Sequence, residues 1–446
     1  MKDLEGKLIK SVSGQQYLLT EIAGQGAQGV VYNEASDKYL VKLYKNGTVY
    51  QNINKLRKLE WLTKQNYPDQ FIKPLDIIEE PYIGYVMEKV KEHASLNMLV
   101  IPPRDMSFSE WYNNRTGGIR RRLFLAYKIA MQFSLLHDTN RAYCDISGNN
   151  ILVSDDPKVA SVCMIDIDNI YIPGGDSGNV LGTSRYMAPE IMNKKMLPDI
   201  FTDDYSLAVI LFELLRVGHP YIGDMVEDGT PEQQAQAYLG LYPYVDDEET
   251  DINRSTQMLP ADVVFTSNLK ELFARTFIKG KDNRVERIQA REFALACLEA
   301  SNKVMKCEDC GNWHLAVSDE NRKYICPWCD AENERPLFLS FKDRYYVRKS
   351  AKNHEAEMVS KTTHEKVVFE ERAVNSFVLR DEKNVITNNY ISNFYIKRDK
   401  FAKPVDQYFS IRKAKDGKFY LINASDNELY YQKYGDKKSI QLTKKD

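Results

Sequence analysis

Tyr143-Cys144-Asp145-Ile-Ser-Gly-Asn-Asn150-Ile-Leu152 is the stretch on which the reading of this chain turns. Met164-Ile-Asp166-Ile-Asp168 comes next, and then Gly182-Thr183-Ser-Arg-Tyr-Met-Ala-Pro-Glu190. An isolated Asp-x4-Asn pair is nearly worthless as a signal. In this order the set offers Asp145 as a proton acceptor for a hydroxyl. It also offers Asn150 and Asp166 as hard oxygen ligands of the kind magnesium prefers beside phosphates.

Upstream, residues Tyr17 to Tyr44 alternate apolar and polar with glycines between the runs, which predicts three short antiparallel strands. Asn52 to Lys64 carries Ile53, Leu56, Leu59 and Trp61 at near-helical spacing, so one helix is expected. Strands around Phe71–Ile78 and Ile83–Val90 follow. Beyond them, Arg120–His137 reads as an amphipathic helix and Asp203–Val217 as a buried one. A β-rich lobe over residues 1–90 and a helical lobe over 91–303 emerge from periodicity.

Gly24-Gln-Gly26-Ala-Gln-Gly29-Val-Val31 lies between the first two of those strands. Glycines let backbone amides approach phosphate oxygens closely. The pattern alone equally describes a hairpin with no ligand. A dinucleotide fingerprint would lead into a helix, whereas these glycines lead into another strand. Lys42 follows in Leu40-Val-Lys42-Leu, and a buried lysine needs a partner. Glu60, seven positions after Ile53, is expected on the same inward face and is assigned that role, holding Lys42 against phosphates. Tyr85-Val-Met87-Glu88-Lys-Val90 would offer backbone groups from Glu88 and Val90 to an adenine edge, with Leu152 as its floor.

Together these motifs resemble a eukaryotic-like protein kinase over roughly Gln15 to Ala300. The resemblance implies a bilobal fold using ATP with Mg2+ (or Mn2+). Lys42, Glu60, Asp145 and Thr183 would be catalytic; Gly24, Gly26, Gly29, Val31, Lys42, Glu88, Val90 and Leu152 would line the nucleotide site. Asn150 and Asp166 would ligate magnesium. Asp203 matches the aspartate that braces the catalytic loop, and Arg287 is paired with Glu190. Thr183 matches the threonine of serine/threonine kinases, which implies a Ser or Thr acceptor. A small-molecule phosphotransferase of this fold would lack the full Thr-x-x-Tyr-x-Ala-Pro-Glu segment.

The departures are specific. Cys144 stands where an arginine would read an activation-loop phosphate, although Ser177, Thr183, Ser184 and Tyr186 remain modifiable. Ser147 replaces a lysine near the transferred phosphate. Asp168 replaces the glycine of Asp-Phe-Gly and so loses glycine's backbone freedom. A pseudokinase scaffold is the alternative these changes leave open. The Asp-x-Asp-Asn form is similar to a bacterial subgroup that carries a Cys-Pro-Trp-Cys segment behind the catalytic domain. The resemblance further implies a protein substrate, autophosphorylation and a metal-dependent protein phosphatase as partner.

That segment is present. Cys307-Glu-Asp-Cys310 and Cys326-Pro-Trp-Cys329 are two Cys-x2-Cys knuckles, spaced for a four-thiolate Zn2+ ribbon over residues 304–333. His314 replacing Cys310 is one alternative and a redox dithiol pair another. Asp330–Pro336 reads as a linker. Residues 334–446 alternate Tyr, Phe, Val and Ile runs with turn clusters, an all-β pattern. Gly417-Lys-Phe-Tyr-Leu-Ile-Asn-Ala-Ser-Asp-Asn427 resembles late strands of a forkhead-associated (FHA) sandwich, without that family's phosphothreonine signatures. The expected fold class is multidomain α+β: a bilobal kinase, a zinc ribbon and a small sandwich-like β domain.

Bulk properties agree. The 446 residues are 43% apolar with net charge −2, which argues against a nucleic-acid binder. From Phe341 onward 23 Lys/Arg face 15 Asp/Glu, either a solvated basic face or a docking surface for an acidic partner. No apolar signal core opens the chain. The longest apolar run, Leu207–Leu215, is broken by Glu213 and falls short of the ~20 residues that span a bilayer. A cytoplasmic protein with no membrane partner is therefore expected.

Overall fold

A computed structural model describes residues 4–26, 28–45, 49–171, 182–318, 321–347, 356–359, 366–379, 384–386, 409–414, 418–423, 429–431 and 440–442. Ser177, the 415–417 and 424–427 turn clusters and the closing Lys-Lys-Asp lie outside the described residues. The chain divides into two compact units, Met1–Cys297 and Leu298–Asp446. The division falls within the last helix of the kinase-like region, not after it.

The first unit begins with strands β1 (Leu8–Lys10), β2 (Gln16–Gln25), β3 (Gly29–Glu34) and β4 (Tyr39–Tyr44). Helix α1 (Val49–Lys64) and strands β5 (Asp76–Ile77) and β6 (Gly84–Glu88) complete the lobe. The six strands form one antiparallel sheet in the order β1-β2-β3-β4-β6-β5. β1 was not anticipated, because a three-residue strand with one buried side chain, Ile9, leaves no period to read. Side chains alternate across a strand. Val41 and Leu43 therefore enter a core with Leu19, Val30, Tyr32 and Val86. Leu40, Lys42 and Tyr44 take the other face. Val31 and Tyr85 flank Lys42 on the neighbouring strands. Burying Val41 and Leu43 contributes about 1.5–3 kcal/mol each, and this pins the register that aims Lys42.

Next come β7 (His93–Ser95), α2 (Gly118–His137), β8 (Ile151–Ser154) and β9 (Val162–Met164). The helices α3 (Pro189–Met192), α4 (Ile200–Arg216), α5 (Pro231–Tyr238), α6 (Ala261–Val264), α7 (Ser267–Ala274) and α8 (Ala290–Asn302) follow. β7, β8 and β9 form a three-stranded sheet in that order. Its β8–β9 hairpin explains why Asn150 and Asp166, apart in sequence, meet in space. Asn150 immediately precedes β8, Ile165 follows β9, and the Ile165 amide donates to the Asn150 carbonyl at 3.0 Å.

α4 is buried almost all round, as its apolar sequence predicts. It starts earlier than Asp203 because Asp199 caps it, accepting from the Phe201 and Thr202 amides at 3.0 and 3.1 Å. Asp203 and Asp204, in its opening turns, both face His137, with Nε2 3.2 Å from Asp203 Oδ2 and Nδ1 3.5 Å from Asp204 Oδ1. Burial alone would depress the imidazole, but the two carboxylates outweigh it and push it up to about 9. A raised histidine stabilises fully below its ordinary 6.5 and loses that contribution as pH climbs through about 9. The contribution is worth about 3 kcal/mol. Urea midpoints should therefore fall between pH 6.5 and 9.5 in the wild type and be flatter over that window in His137→Gln. Parallel profiles would refute the linkage.

The second unit holds the hairpins β10 (Val304–Lys306) with β11 (Trp313–Leu315), and β12 (Tyr324–Ile325) with β13 (Glu332–Asn333). The expected linker 330–336 is thus partly structured. Asn333 is polar and looked like linker, yet it is buried and hydrogen-bonded: its Oδ1 accepts from the Glu308 amide at 3.1 Å and its Nδ2 donates to the Tyr324 carbonyl at 3.3 Å. Further on are β14 (Phe338–Val347), β15 (Ala356–Val359) and β16 (Lys366–Val378), ordered β14-β16-β15. A second sheet has β17 (Asn384–Ile386), β18 (Phe409–Lys413) and β19 (Phe419–Asn423) in sequence order. Finally β20 (Leu429–Tyr431) pairs with β21 (Ile440–Leu442). Every described element after Asn302 is a strand.

Candidate active site

Lys42 is buried and lies between two carboxylates. Its Nζ donates to Asp168 Oδ2 at 3.0 Å, to Asp168 Oδ1 at 3.2 Å and to Asp166 Oδ1 at 3.2 Å. Burial works against the ammonium, but Asp168 and then Asp166 outweigh it and hold the lysine above its usual range. Asp168 is opposed by burial too, yet Lys42 and the Tyr44 hydroxyl, which donates to Oδ2 at 2.5 Å, keep it below the ordinary carboxylate range. Asp166 is raised by its burial, with Lys42 opposing.

The expected Lys42–Glu60 pair is absent. Glu60 and Ile53 do share a face of α1, but that face is exposed, with Ile53 at 43%. Among the described side chains of α1, Leu59 and Leu62 are the deeply buried ones. The sequence pattern was assigned to the wrong side of a weakly amphipathic helix. Nor did Asp168 require glycine's freedom. The left-handed conformations fall instead at Cys144 (φ 73°) and Asp166 (φ 59°).

Asp145 receives three donors. Asn150 Nδ2 reaches its Oδ2 at 2.9 Å, Asn169 Nδ2 the same oxygen at 3.4 Å, and Thr183 Oγ1 its Oδ1 at 3.1 Å. Burial raises the carboxyl; Asn150 and Thr183 resist. Asn150 Nδ2 also donates to the Asp145 carbonyl at 2.9 Å, which leaves its side-chain oxygen as the hard donor for a cation. The loop is held from below by Asp203, which accepts from the amides of Tyr143 and Cys144. Tyr143 packs edge-on against Phe71 and Phe133, and its hydroxyl donates to the Ile165 carbonyl beside Asp166. Burial keeps the Cys144 thiol well above its usual range, so it carries no charge in place of an arginine.

Two further ion pairs fix the Gly182–Glu190 segment. Arg287 donates to Glu190 through both terminal nitrogens, at 2.7 and 2.9 Å. Arg185 pairs with Glu213, which is fully buried in α4. Sequence reading treated Glu213 only as an interruption of an apolar run. A charge amid such a run was the signal that it had a partner.

Of the glycines, Gly29 is demanded by packing: a Cβ would sit 2.2 Å from the Leu43 carbonyl oxygen. Added Cβ atoms on Gly24 or Gly26 would meet no described atom within 4 Å. Among the described residues, packing therefore does not demand a glycine at either position. Gln28, unremarked in the sequence, donates to Asn169 Oδ1 at 3.1 Å. Gln28–Asn169–Asp145 thus links the glycine turn to the Asp145 carboxylate. Val31 stands opposite Lys42, and Leu152 opposite Cys163. Glu88 is exposed and Val90 half-buried just past β6, with the Glu88 charge raising the Cys163 thiol after burial does.

In the second unit, the sulfurs of Cys307, Cys310, Cys326 and Cys329 all lie within 4.8 Å of one another. Cys307–Cys329 and Cys310–Cys326 are each 3.7 Å apart. A disulfide needs about 2.05 Å, so neither pair is bonded. Tetrahedral metal–thiolate bonds of ~2.3 Å give edges of ~3.8 Å, which the pairs match. His314 is not part of this group. It is buried and its Nδ1 meets the Leu315 carbonyl oxygen at 2.9 Å.

No helix among the described residues is long and apolar enough to cross a membrane. Residues 17–295 match the protein kinase domain family. The protein kinase YegI of Escherichia coli K12 is 22% identical over 58% of this chain and 39% of its own length. The serine/threonine-protein kinase AtPK1/AtPK6 of Arabidopsis thaliana is 26% identical over 50% of this chain and 47% of its own. For the serine/threonine-protein kinase nekl-2 of Caenorhabditis elegans the figures are 24%, 47% and 59%. The chain thus spans about two fifths to three fifths of these relatives. With the site assembled as described and the domain matched over more than half its length, the chain belongs to the protein kinase family.

Proposed function

We propose that this kinase transfers the γ-phosphoryl group of ATP to Ser or Thr hydroxyls of proteins, itself included. The Thr183–Asp145 hydrogen bond carries the reading, because it sets the acceptor-side threonine on the oxygen that would receive the proton. Asp145 orients the acceptor hydroxyl and takes its proton. The acceptor oxygen bonds to the γ-phosphorus, the bond to the bridging β–γ oxygen breaks, and ADP leaves with that electron pair. Lys42 steadies the α and β phosphates from the strand face. The Asn150 side-chain oxygen and Asp166 fit magnesium or manganese by donor type and would hold such a cation, which when bound would neutralise charge on the phosphates. Ser147 supplies no cation near the transferred group, which favours a slow chemical step.

The test is transfer of labelled phosphate from ATP with magnesium to a generic protein acceptor, followed by phosphoamino-acid analysis, beside Asp145→Ala. Label on Ser or Thr in the wild type alone supports the proposal. Equal absence of label in both, with ATP binding intact, means a scaffold.

The four thiolates are proposed to hold structural Zn2+, a closed site with no catalytic role. Metal analysis of reductively purified protein should give about one equivalent per chain. Cys326→Ser/Cys329→Ser should lose it, and less than about half an equivalent in the wild type refutes the assignment. The strands after Asn333 are proposed to be a degenerate forkhead-associated-like domain that does not read phosphopeptides.

A further inference from the structure

A phosphate-binding lysine on a β-strand needs a fixed carboxylate, or its long side chain wanders among rotamers. The expected source, α1, does not supply one: Glu60 points to solvent. α1 brings two cations, Lys55 and Lys58, to this region. Lys55 Nζ lies 5.2 Å from the Tyr44 ring centroid, the ring that Lys42 Nζ also approaches at 5.7 Å. Lys58 is near enough for its charge to act on Asp168.

Asp168 supplies what α1 lacks. Its side chain is 4% exposed and meets Lys42 Nζ with both oxygens, at 3.2 and 3.0 Å. The Tyr44 hydroxyl, on the same strand face as Lys42, holds it in place. Its backbone belongs to the short helical turn Ile167–Asn169, directly after Asp166. The neighbouring Asn169 is bonded to Asp145 at 3.4 Å and to Gln28 at 3.1 Å. Asp166-Ile-Asp168-Asn169 therefore places a cation ligand, a lysine anchor and a catalytic-loop contact on four consecutive residues.

We propose that Asp168, not a carboxylate on α1, is the positioning residue that fixes Lys42 for phosphate binding. The proposal rests on the kinase reading above and deepens it. One consequence is that the lysine is anchored from the same segment as the metal ligand. Completing the site therefore does not require α1 to swing inward.

Three variants test this by steady-state kinetics on the full chain. Asp168→Asn keeps the shape and removes the charge; it should lower kcat/KM for ATP about 100-fold and raise KM for ATP, with KM for the protein acceptor unchanged. A mere folding role would scale kcat through the active fraction and leave KM for ATP alone, and that result overturns the proposal. Tyr44→Phe, which removes only the hydroxyl bond to Asp168, should raise KM for ATP about threefold to tenfold. It carries the test if Asp168→Asn does not fold, and an unchanged KM then sinks it. Glu60→Ala should match the wild type within twofold; damage there equal to that of Asp168→Asn returns the anchor to α1. If the wild type transfers no phosphate at all, the kinase reading fails separately. The anchor is then read from affinity for a non-hydrolysable ATP analogue with magnesium. Asp168→Asn should weaken that affinity about tenfold, and equal affinity would overturn the proposal.

Discussion

Asp145→Asn should reduce kcat for phosphoryl transfer about 1,000-fold, within the range typical of a lost general base. The variant removes more than a proton acceptor. Asn150, Asn169 and Thr183 all donate to this carboxylate. An ionised carboxylate offers acceptor sites only, whereas an amide must turn its NH2 group toward one of those donors. Thr183 keeps its bond only by turning its hydroxyl to accept; otherwise the Asn150–Asn169 pair loses its acceptor, and either way the donor pattern around this position changes. KM for ATP should stay within about threefold of wild type, since Lys42 and Asp166 are untouched. A kcat within tenfold of wild type would show that Asp145 is not the base.

Arg287→Ala should destabilise the first unit by about 3–5 kcal/mol, the cost of leaving a buried ion-pair partner alone. Arg287 is 3% exposed. Besides its two bonds to Glu190 it donates to the carbonyls of Gly280 at 2.8 Å and Phe201 at 3.0 Å. Truncation strands all three acceptors. Burial would raise the Glu190 carboxyl, and Arg287 holds it below the usual range instead. The ion pair therefore stabilises at neutral pH and is lost in acid. Urea unfolding at pH 7 checks the magnitude; a loss under 1 kcal/mol would mean the pair is dispensable. Arg287→Lys should fall between, because lysine cannot make the bidentate contact.

Where a motif combined residue type with strict order, the sequence was informative about this protein. The two-lobed kinase domain was readable because strand alternation and helix periodicity are strong over long segments. The meeting of Asp145, Asn150 and Thr183 follows from motif order. Lys42's partner was not readable, because a helix with Leu59 and Leu62 as its deeply buried positions among those described leaves its inward face undecided. Two carboxylates separated by a single residue, Asp166 and Asp168, were the better clue to where a buried cation would go. The Gln28–Asn169 link joins residues distant in sequence through neutral amides, and nothing in local pattern marks such a pair. Asn333 misled for a related reason, since a buried, fully bonded amide has the same composition as a surface linker.

Asp203 grips the catalytic loop by the amides of Tyr143 and Cys144, not by their side chains. Every residue except proline carries an amide. Those two bonds are therefore independent of the side chain at Cys144, whereas the buried Tyr143 ring and hydroxyl add contacts of their own. The side chain at position 144 can therefore change its chemical character while the backbone bonds to Asp203 keep the Asp145 carboxylate where it is. The placement of the Asp145 carboxylate and the chemical character of the residue before it are separable in this architecture.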